Sequence, residues 1–204
     1  MQMSITRALA ELKLLKSRIK KSTNQEFISY YIKMDGLPTG QTEETYKTKL
    51  SANLQSARDL INRSKEIKDK IVLSNAVTKV KIGSKEYTVA EAIERKRSIQ
   101  YDKELLKNIQ SALQMHRYSR ENQNDKIEAE VSKQTLSKSD RTFSPEYVEK
   151  EVEVIKERLK FIELDPNDLE KFAKDLESEI EEFETEVDYV LSTSNTTTMI
   201  EVSE

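Results

Sequence analysis

Apolar residues recur at alternating steps of four and three along three segments, and this spacing constrains the fold more than any other feature. It keeps an apolar stripe on one side of an α-helix, as in coiled coils. Helices with so narrow a stripe complete their burial against other helices, often those of another subunit. The spacing is held by Leu50, Leu54, Ala57, Ile61, Ser64, Ile67/Lys68 and Ile71, by Val148, Val152, Ile155, Leu159 and Ile162, and by Leu169, Ala173, Leu176, Ile180, Phe183, Val187 and Val190.

The composition supports long amphipathic helices. The chain of 204 residues is 36% hydrophobic and 35% charged, with 3 Gly and 3 Pro, which argues against an α/β enzyme with glycine-rich ligand loops. The absence of cysteine excludes disulfides, thiolate nucleophiles and cysteine-based metal sites. The N-terminus is expected to enter a helix without an apolar leader, and no run reaches membrane-spanning length, so we expect a cytoplasmic protein with no membrane partner.

Residues 73–91 interrupt the helical pattern. Val77–Ile82 alternates apolar and basic residues, as a half-buried strand does. Gly83 supplies the positive φ of a tight turn, after which the chain returns as a second strand. Thr88 and Glu91 then have the spacing of a capping box, which begins a helix. The sequence therefore predicts a β-hairpin at about 77–88 between two long helices.

The hairpin segment has a counterpart near the C-terminus. Ser74–Ile82 aligns without gaps on Ser194–Val202, with the shared pattern S-N-x-x-T-x-[VI]-x-[IV]. We expect each copy to end a helix and enter a strand, and the C-terminal strand (about 196–202) to join the hairpin in one sheet, with Lys79 and Lys81 near Glu201. Convergence is the alternative explanation, because Ser and Asn are common wherever helices stop.

The predicted fold is mainly α, with long antiparallel amphipathic helices in a coiled-coil-like bundle and a small antiparallel sheet. We expect a hairpin-containing core at 1–122 and an αα-hairpin plus C-terminal strand at 143–204, which packs on the core. The polar stretch 123–142 is expected to be a flexible connection. The further predicted elements are a helix from Ser4 to about Lys21, a short strand at Phe27–Lys33, a loop at Asp35–Gln41, a helix from Thr42 to about Leu73, a helix from Val89 to about Arg120, and helices that begin at Ser144-Pro145 and after Asp165-Pro166.

Charge is unevenly distributed along the chain. Residues 1–120 carry 24 Lys and Arg against 13 Asp and Glu, and residues 121–204 carry 10 against 24, so the balances are +11 and −14. The two halves are expected to pack on each other, within or between chains. Nucleic-acid binding ranks below this interpretation, because the acidic half would repel phosphate and no aromatic–basic interleaving is present.

The sequence contains no recognisable catalytic arrangement. His116 is the only histidine, which excludes multi-histidine metal sites, and it has no recognisable triad partners. Eleven carboxylates lie between Asp165 and Asp188, but a dimetal site in a helical bundle also needs histidines. These residues are interpreted as a packed histidine and a solvated acidic face. We expect no enzyme activity, cofactor or metal.

One set of residues, drawn from separate parts of the chain, suggests a binding pocket. The two Ser-Asn-x-x-Thr segments, the N-terminus of the third long helix and its basic cluster would converge if the strands pair. Helix N-termini and Arg bind anions, Asn and Thr supply neutral donors and acceptors, and Tyr stacks on rings. The alternative is that these residues only cap helices and complete strand hydrogen bonds. The predicted ligand-binding residues are Asn75, Thr78, Lys79, Tyr87, Thr88, Arg95, Arg97, Ser194, Asn195 and Thr197.

Three segments, Met3–Lys13, Leu73–Lys96 and Val187–Asn195, resemble an uncharacterised family of helical proteins from Gram-positive bacteria and their phages. The shared feature is a helix–Ser-Asn–β-hairpin–helix core. The resemblance implies a homo-oligomer, phage-encoded and located in the host cytoplasm, and it carries over no catalytic residues.

Together with the pocket, the resemblance predicts a non-catalytic anti-defence protein that sequesters a small anionic ligand such as a host nucleotide immune signal. The alternative is a structural, scaffold or virion-associated helical protein without a small-molecule ligand. An enzyme that uses carboxylates, Lys or Tyr is the third and weakest interpretation.

Overall fold

The computed structural model describes residues 1–33, 42–139 and 144–203, and the side chains of all of these except 137–139. The predicted mainly-α class, with small antiparallel sheets, is confirmed. The elements in these ranges are β1 (Gln2–Ser4), α1 (Ile5–Ser22), α2 (Glu43–Val77), β2 (Lys79–Ile82), β3 (Lys85–Thr88), α3 (Val89–Ser139), α4 (Pro145–Leu159), α5 (Leu169–Thr197) and β4 (Met199–Glu201).

The chain forms two compact units. Unit 1 contains Met1–Arg97 and Phe183–Glu204, and unit 2 contains Ser98–Glu182. The predicted domain boundaries at 122 and 143 stay a prediction. In the described ranges, no helix is both long and apolar enough to cross a lipid bilayer.

The hairpin and the cap after it are confirmed. β2 and β3 pair antiparallel, from Lys79 opposite Thr88 to Ile82 opposite Lys85, and Gly83 in the turn has a φ of 59°. The Thr88 N–H donates to the Glu91 carboxylate at 2.7 Å, and the Glu91 N–H donates to the Thr88 hydroxyl at 3.1 Å. This reciprocal pair satisfies two free N–H groups and begins α3.

The predicted single sheet is wrong, because β4 pairs with β1 and not with the hairpin. Met3 lies opposite Ile200 in this second antiparallel sheet, and both side chains are buried. The N-terminal ammonium donates to the Val202 carbonyl at 2.7 Å. The chain therefore begins with a strand before its first helix, and Lys79 pairs with Glu86 at 2.9 Å, not with Glu201.

The two repeats, Ser74–Ile82 and Ser194–Val202, adopt equivalent structures. In each, the Thr after a long helix closes the last turn and the chain enters a strand. The carbonyl of that Thr then accepts the first N–H of another helix. The equivalent bonds are Thr78 N–H to Ser74 O (2.9 Å) with Val89 N–H to Thr78 O (2.9 Å), and Thr198 N–H to Ser194 O (2.9 Å) with Ile5 N–H to Thr198 O (3.1 Å).

Several expected segment boundaries differ from the structure. The second helix, expected to end near Leu73, continues to Val77, so β2 begins at Lys79 and not at Val77. Similarly, α5 continues to Thr197, and the strand expected at about 196–202 is Met199–Glu201.

Phe27–Lys33 contains no strand, because no strand in the described part of the chain pairs with it and strand propensity alone does not form a strand. The helix expected to end near Arg120 continues to Ser139, because residues 121–139 are rich in good helix formers despite their polarity. The last helix begins at Leu169, whose N–H donates to the Asp165 carboxylate at 2.8 Å. The predicted loop Asp35–Gln41 lies outside the described residues.

A buried apolar cluster in unit 1 joins both chain ends to the first two helices. Its position explains why β1 and β4 pair: their inward side chains share one apolar core with α1 and α2. Burial of each large apolar side chain contributes about 1.5–3 kcal/mol. The buried members are Met3, Ile5, Ala8, Leu15, Ile67, Ile71, Ile200 and Val202.

Ile67→Ala is expected to lower the free energy of unfolding by about 2–5 kcal/mol, because it leaves a cavity in this core. Val72→Ala on the same helix is the matched control, since Val72 is 65% exposed, and should change the free energy by less than about 0.5 kcal/mol. Urea denaturation measures both values. Equal effects of the two substitutions would contradict the assignment of the core.

Glu66 on α2 forms two hydrogen bonds with the segment that follows β4. The Ser203 N–H and hydroxyl donate to its two carboxylate oxygens at 2.6 and 2.5 Å. The backbone hydrogen bond first, and then the hydroxyl bond, hold the pKa of Glu66 below its ordinary value. Since the folded pKa is depressed, the stabilisation is present at neutral pH and is lost as the pH falls through the lowered pKa.

Glu66→Gln should therefore lower stability at neutral pH and lose less stability on acidification from about pH 5 to about pH 3 than the unsubstituted protein. Thermal unfolding across this range measures the effect. Glu104→Gln, on the exposed surface of α3, is the control and should leave the profile unchanged. Parallel profiles for Glu66→Gln and the unsubstituted protein would show that the Ser203 contact does not stabilise the fold.

Candidate binding groove

Both repeats contribute to a groove of about 300 Å³ in unit 1, which we call the hydroxyl groove. It lies between β2 and the C-terminal end of α5. The residue after each repeat's helix, Thr78 or Thr198, is part of its wall. The lining residues are Thr78, Lys79, Val80, Lys81, Tyr189, Val190, Thr193, Ser194, Thr197 and Thr198.

The groove is rich in aliphatic hydroxyl groups, which come from four threonines and one serine. Some already donate within the protein: the Thr197 hydroxyl donates to the Thr193 carbonyl at 3.0 Å. A hydroxyl that donates in this way keeps its oxygen lone pairs as acceptors. The groove can therefore accept hydrogen bonds from the O–H or N–H groups of a polar ligand.

The formal positive charge of the groove comes from Lys79 and Lys81 on β2. The hydrogen bond from Lys79 to Glu86, followed by the attraction between the two charges, raises the pKa of Lys79. Lys79 is thus fully protonated at neutral pH. An ammonium group attracts phosphate or carboxylate as a compact charge with three donors.

Helix dipoles act in the opposite direction. α2 and α5 both end at the groove, and helix C-termini carry a partial negative charge. The pocket predicted from sequence relied on the N-terminus of α3 instead. In the structure, the capping box takes two N–H groups of that terminus and the Thr78 carbonyl takes the Val89 N–H at 2.9 Å. The lysines, not a helix N-terminus, are therefore the attraction for an anion.

The structure brings four of the ten predicted ligand-binding residues together in the groove: Thr78, Lys79, Ser194 and Thr197. Thr88 caps α3, and Arg97 lies 3.6 Å from Glu94 on the same helix. The binding role of these residues stays a prediction.

Tyr87 and Arg95 contact a ring of the core. The Tyr87 ring meets the buried Phe183 ring edge-on at 5.8 Å between centroids, and the Arg95 guanidinium carbon lies 5.6 Å from the Phe183 centroid. Both side chains are half-buried. This arrangement gives Tyr87 and Arg95 a packing role against Phe183 of α5, and the binding role predicted for both residues stays a prediction.

The two asparagines of the repeats do not line the groove. Both are half-buried at the ends of their helices. The Asn75 side-chain oxygen is buried and accepts no hydrogen bond from the residues that the structure describes.

Sequence reasoning missed Tyr189, Thr193, Lys81 and Thr198. A signal for two of them was present: Tyr189, Thr193 and Thr197 are spaced by four, which places them on one face of a helix. Tyr189 is 75% exposed, so its ring is open to a ligand at the groove. The sequence alone could not place Tyr189 at the groove, because this placement depends on α5 lying beside β2.

His116 lies in unit 2. Its ring meets Phe161 edge-on at 5.2 Å, and its Nε2 is 3.9 Å from a Glu163 carboxylate oxygen. A cavity of about 200 Å³ adjoins it. Within the described ranges, no group of three or more His, Cys, Asp or Glu side chains is placed to hold a metal ion.

Comparison with known proteins gave no matching family model, no matching curated relative and no matching solved structure. The resemblance to a family of Gram-positive bacteria and their phages stays a prediction.

Phe183→Ala is expected to lower the free energy of unfolding by about 3–5 kcal/mol, since Tyr87 and Arg95 both lose the ring on which they pack. Phe172→Ala, an exposed phenylalanine of the same helix, is the control and should cost much less. Chemical denaturation measures both. If the two variants were equally stable, the contact of Tyr87 and Arg95 with Phe183 would not hold the fold.

Proposed function

We propose that this chain is a non-catalytic, homo-oligomeric binding protein that holds a small anionic ligand in the hydroxyl groove. The observation that carries the proposal is the convergence in one groove of five aliphatic hydroxyl groups, two lysines and the exposed Tyr189 ring. Elements from both repeats supply them.

A nucleotide-like ligand suits these groups best among anions. Lys79 and Lys81 attract a phosphate, and the hydroxyls with the helix C-terminal carbonyls match the hydroxyls of a sugar. The exposed Tyr189 ring offers a platform on which a base can stack. A phage-encoded protein that sequesters a host nucleotide signal is the finer form of this proposal, and the family resemblance of the sequence supports that form.

The chemistry of the lining supports binding over catalysis. No carboxylate, imidazole or thiol is among the residues that line the groove. A hydroxyl nucleophile would need a lysine with a lowered pKa as its base. The pKa of Lys79 is raised by Glu86, which opposes that role.

A purely structural role is the second candidate. The last turns of α2 expose Val72, Leu73 and Val77, and apolar side chains grouped in this way are typical of contact surfaces. A scaffold would use this surface without a ligand in the groove.

Titration calorimetry against a panel of mononucleotides and cyclic dinucleotides tests the binding proposal. A member of the panel should bind, and Tyr189→Ala should weaken that binding by at least about fivefold through the loss of stacking. Lys81→Gln should weaken it by removing one positive charge.

The matched controls are Tyr118→Ala and Lys16→Gln, which alter exposed residues remote from the groove in sequence. They should bind like the unsubstituted protein. Absence of binding across the panel, or equal losses in controls and groove variants, would overturn the ligand proposal in favour of the structural role.

A further inference from the structure

The segment Phe27–Lys33 between α1 and α2 shows an alternating pattern of exposure. Ile28, Tyr30 and Ile32 are 85%, 90% and 63% exposed, whereas Phe27 and Tyr31 are 39% and 41% exposed. A period of two is that of an extended chain; we call the less exposed face, with Phe27 and Tyr31, the covered face, although both side chains are still partly exposed, and we call the other the open face. The open face here carries only apolar and aromatic side chains. An edge strand in contact with solvent ordinarily carries charged residues or proline instead.

The covered face is fixed to α2. The Tyr31 hydroxyl donates to Glu43 at 3.2 Å. At the other end, the Asn53 side chain donates to the Glu26 carbonyl at 2.9 Å, and the Tyr46 hydroxyl donates to the Glu26 carboxylate. These contacts hold both ends of the segment on one helix. The open face is thus presented in a defined position.

Among the residues that the structure describes, no strand pairs with this segment, although its sequence favours one. Residues 27–32 contain only β-branched, aromatic and serine side chains, with no charge, Gly or Pro. Within the described ranges, no backbone N–H or carbonyl of residues 27–33 forms a hydrogen bond with another backbone group. A segment with free backbone groups and an apolar face is a template for pairing with another strand.

A second copy of the same segment fits this template. In an antiparallel pair centred on Tyr30, Tyr30 faces the partner's Tyr30 and Ile28 faces the partner's Ile32, so every open apolar side chain meets another. A shift of two residues towards the N-terminus would instead place Ile32 opposite the partner's Glu26. The antiparallel arrangement also brings the end bearing Glu26 beside the partner's end bearing Lys33, whereas parallel pairing would bring like charges together.

We propose that Phe27–Lys33 pairs with the same segment of a second copy, antiparallel and across a twofold axis at Tyr30. The contact is isologous, so both copies use the same surface and the pair closes on itself. This inference names the surface for the self-association included in the proposed function, and it does not depend on the ligand.

Sedimentation analysis gives the first test. Tyr30→Lys places two ammonium groups opposite each other at the axis, and should raise the dissociation constant of this contact at least about 30-fold. Because Tyr30 is exposed, the fold of the subunit should be retained, which circular dichroism checks. Tyr118→Lys is the control for an added charge at an exposed tyrosine, and should associate like the unsubstituted protein.

Cysteine cross-linking tests the register directly, because the native chain contains no cysteine. In the proposed pair the two Cβ atoms at position 30 lie about 5 Å apart, within reach of a disulfide after slight adjustment. The two atoms at position 28 lie about 13 Å apart, at four residues of strand rise. Tyr30→Cys should therefore form covalent dimers under mild oxidation, while Ile28→Cys should not.

A monomeric unsubstituted protein, unchanged association of Tyr30→Lys, or equal cross-linking of the two cysteine variants would each overturn the inference. Its failure is distinct from failure of the ligand proposal. The Tyr30→Lys variant is titrated with the same nucleotide panel, since the residues of the hydroxyl groove are unaltered in it. If the variant loses association but still binds the ligand, the result supports the strand contact. If the variant still associates, the result counts against the strand contact, whether or not the ligand binds.

Discussion

The structure of unit 1 depends on one arrangement of backbone hydrogen bonds that occurs twice. In each repeat, a threonine N–H closes the last turn of a long helix and the carbonyl of the same threonine receives the first N–H of another helix. Through its own N–H and carbonyl groups, each threonine thereby connects the end of one helix, the strand that follows it and the start of another helix. Backbone groups at helix ends must find partners, and this arrangement satisfies one of each kind at Thr78 and at Thr198.

The two repeats share a backbone conformation but differ in their exposed side chains, and the hydroxyl groove results from this difference. Where the first repeat has Lys79 and Lys81 on its strand, the second has Met199 and Glu201. On the helices that lead into the strands, α5 has Tyr189, Thr193 and Thr197 where α2 has Asp69, Leu73 and Val77 at the equivalent positions. The groove combines the basic strand of one repeat with the hydroxyl-bearing helix of the other. The apolar helix face of the first repeat stays exposed beside it.

Local signals predicted most of the fold. The turn at Gly83, the capping box of Thr88 and Glu91, and the helix starts at Ser4 and Thr42 involve residues at most four apart, so their physics is readable in sequence. The pairing of β1 with β4 was not predictable, because β1 has three residues and its partner is almost 200 residues away. Its determinant is the shared burial of Met3 and Ile200, which is a tertiary property.

The candidate site was predicted only in part, because local signals identify some of its residues whereas tertiary contacts determine the others. Thr78, Lys79, Ser194 and Thr197 were recognised through the repeat, whereas Arg95 and Tyr87 were assigned to the pocket on their chemistry alone. Their real contact, the Phe183 ring, lies about 90 residues away in sequence. Strand propensity at Phe27–Lys33 was a local signal as well, but propensity does not form a strand without a partner.

Native mass spectrometry of the protein purified under mild conditions from cells with active nucleotide signalling tests the central claim most directly. The account predicts an oligomer that carries the added mass of a nucleotide-sized ligand, and a Tyr189→Ala, Lys81→Gln double variant that forms the same oligomer without that mass. A monomer, or an oligomer whose added mass is unchanged in the double variant, would contradict the claim that the hydroxyl groove is a ligand site in a self-associating protein.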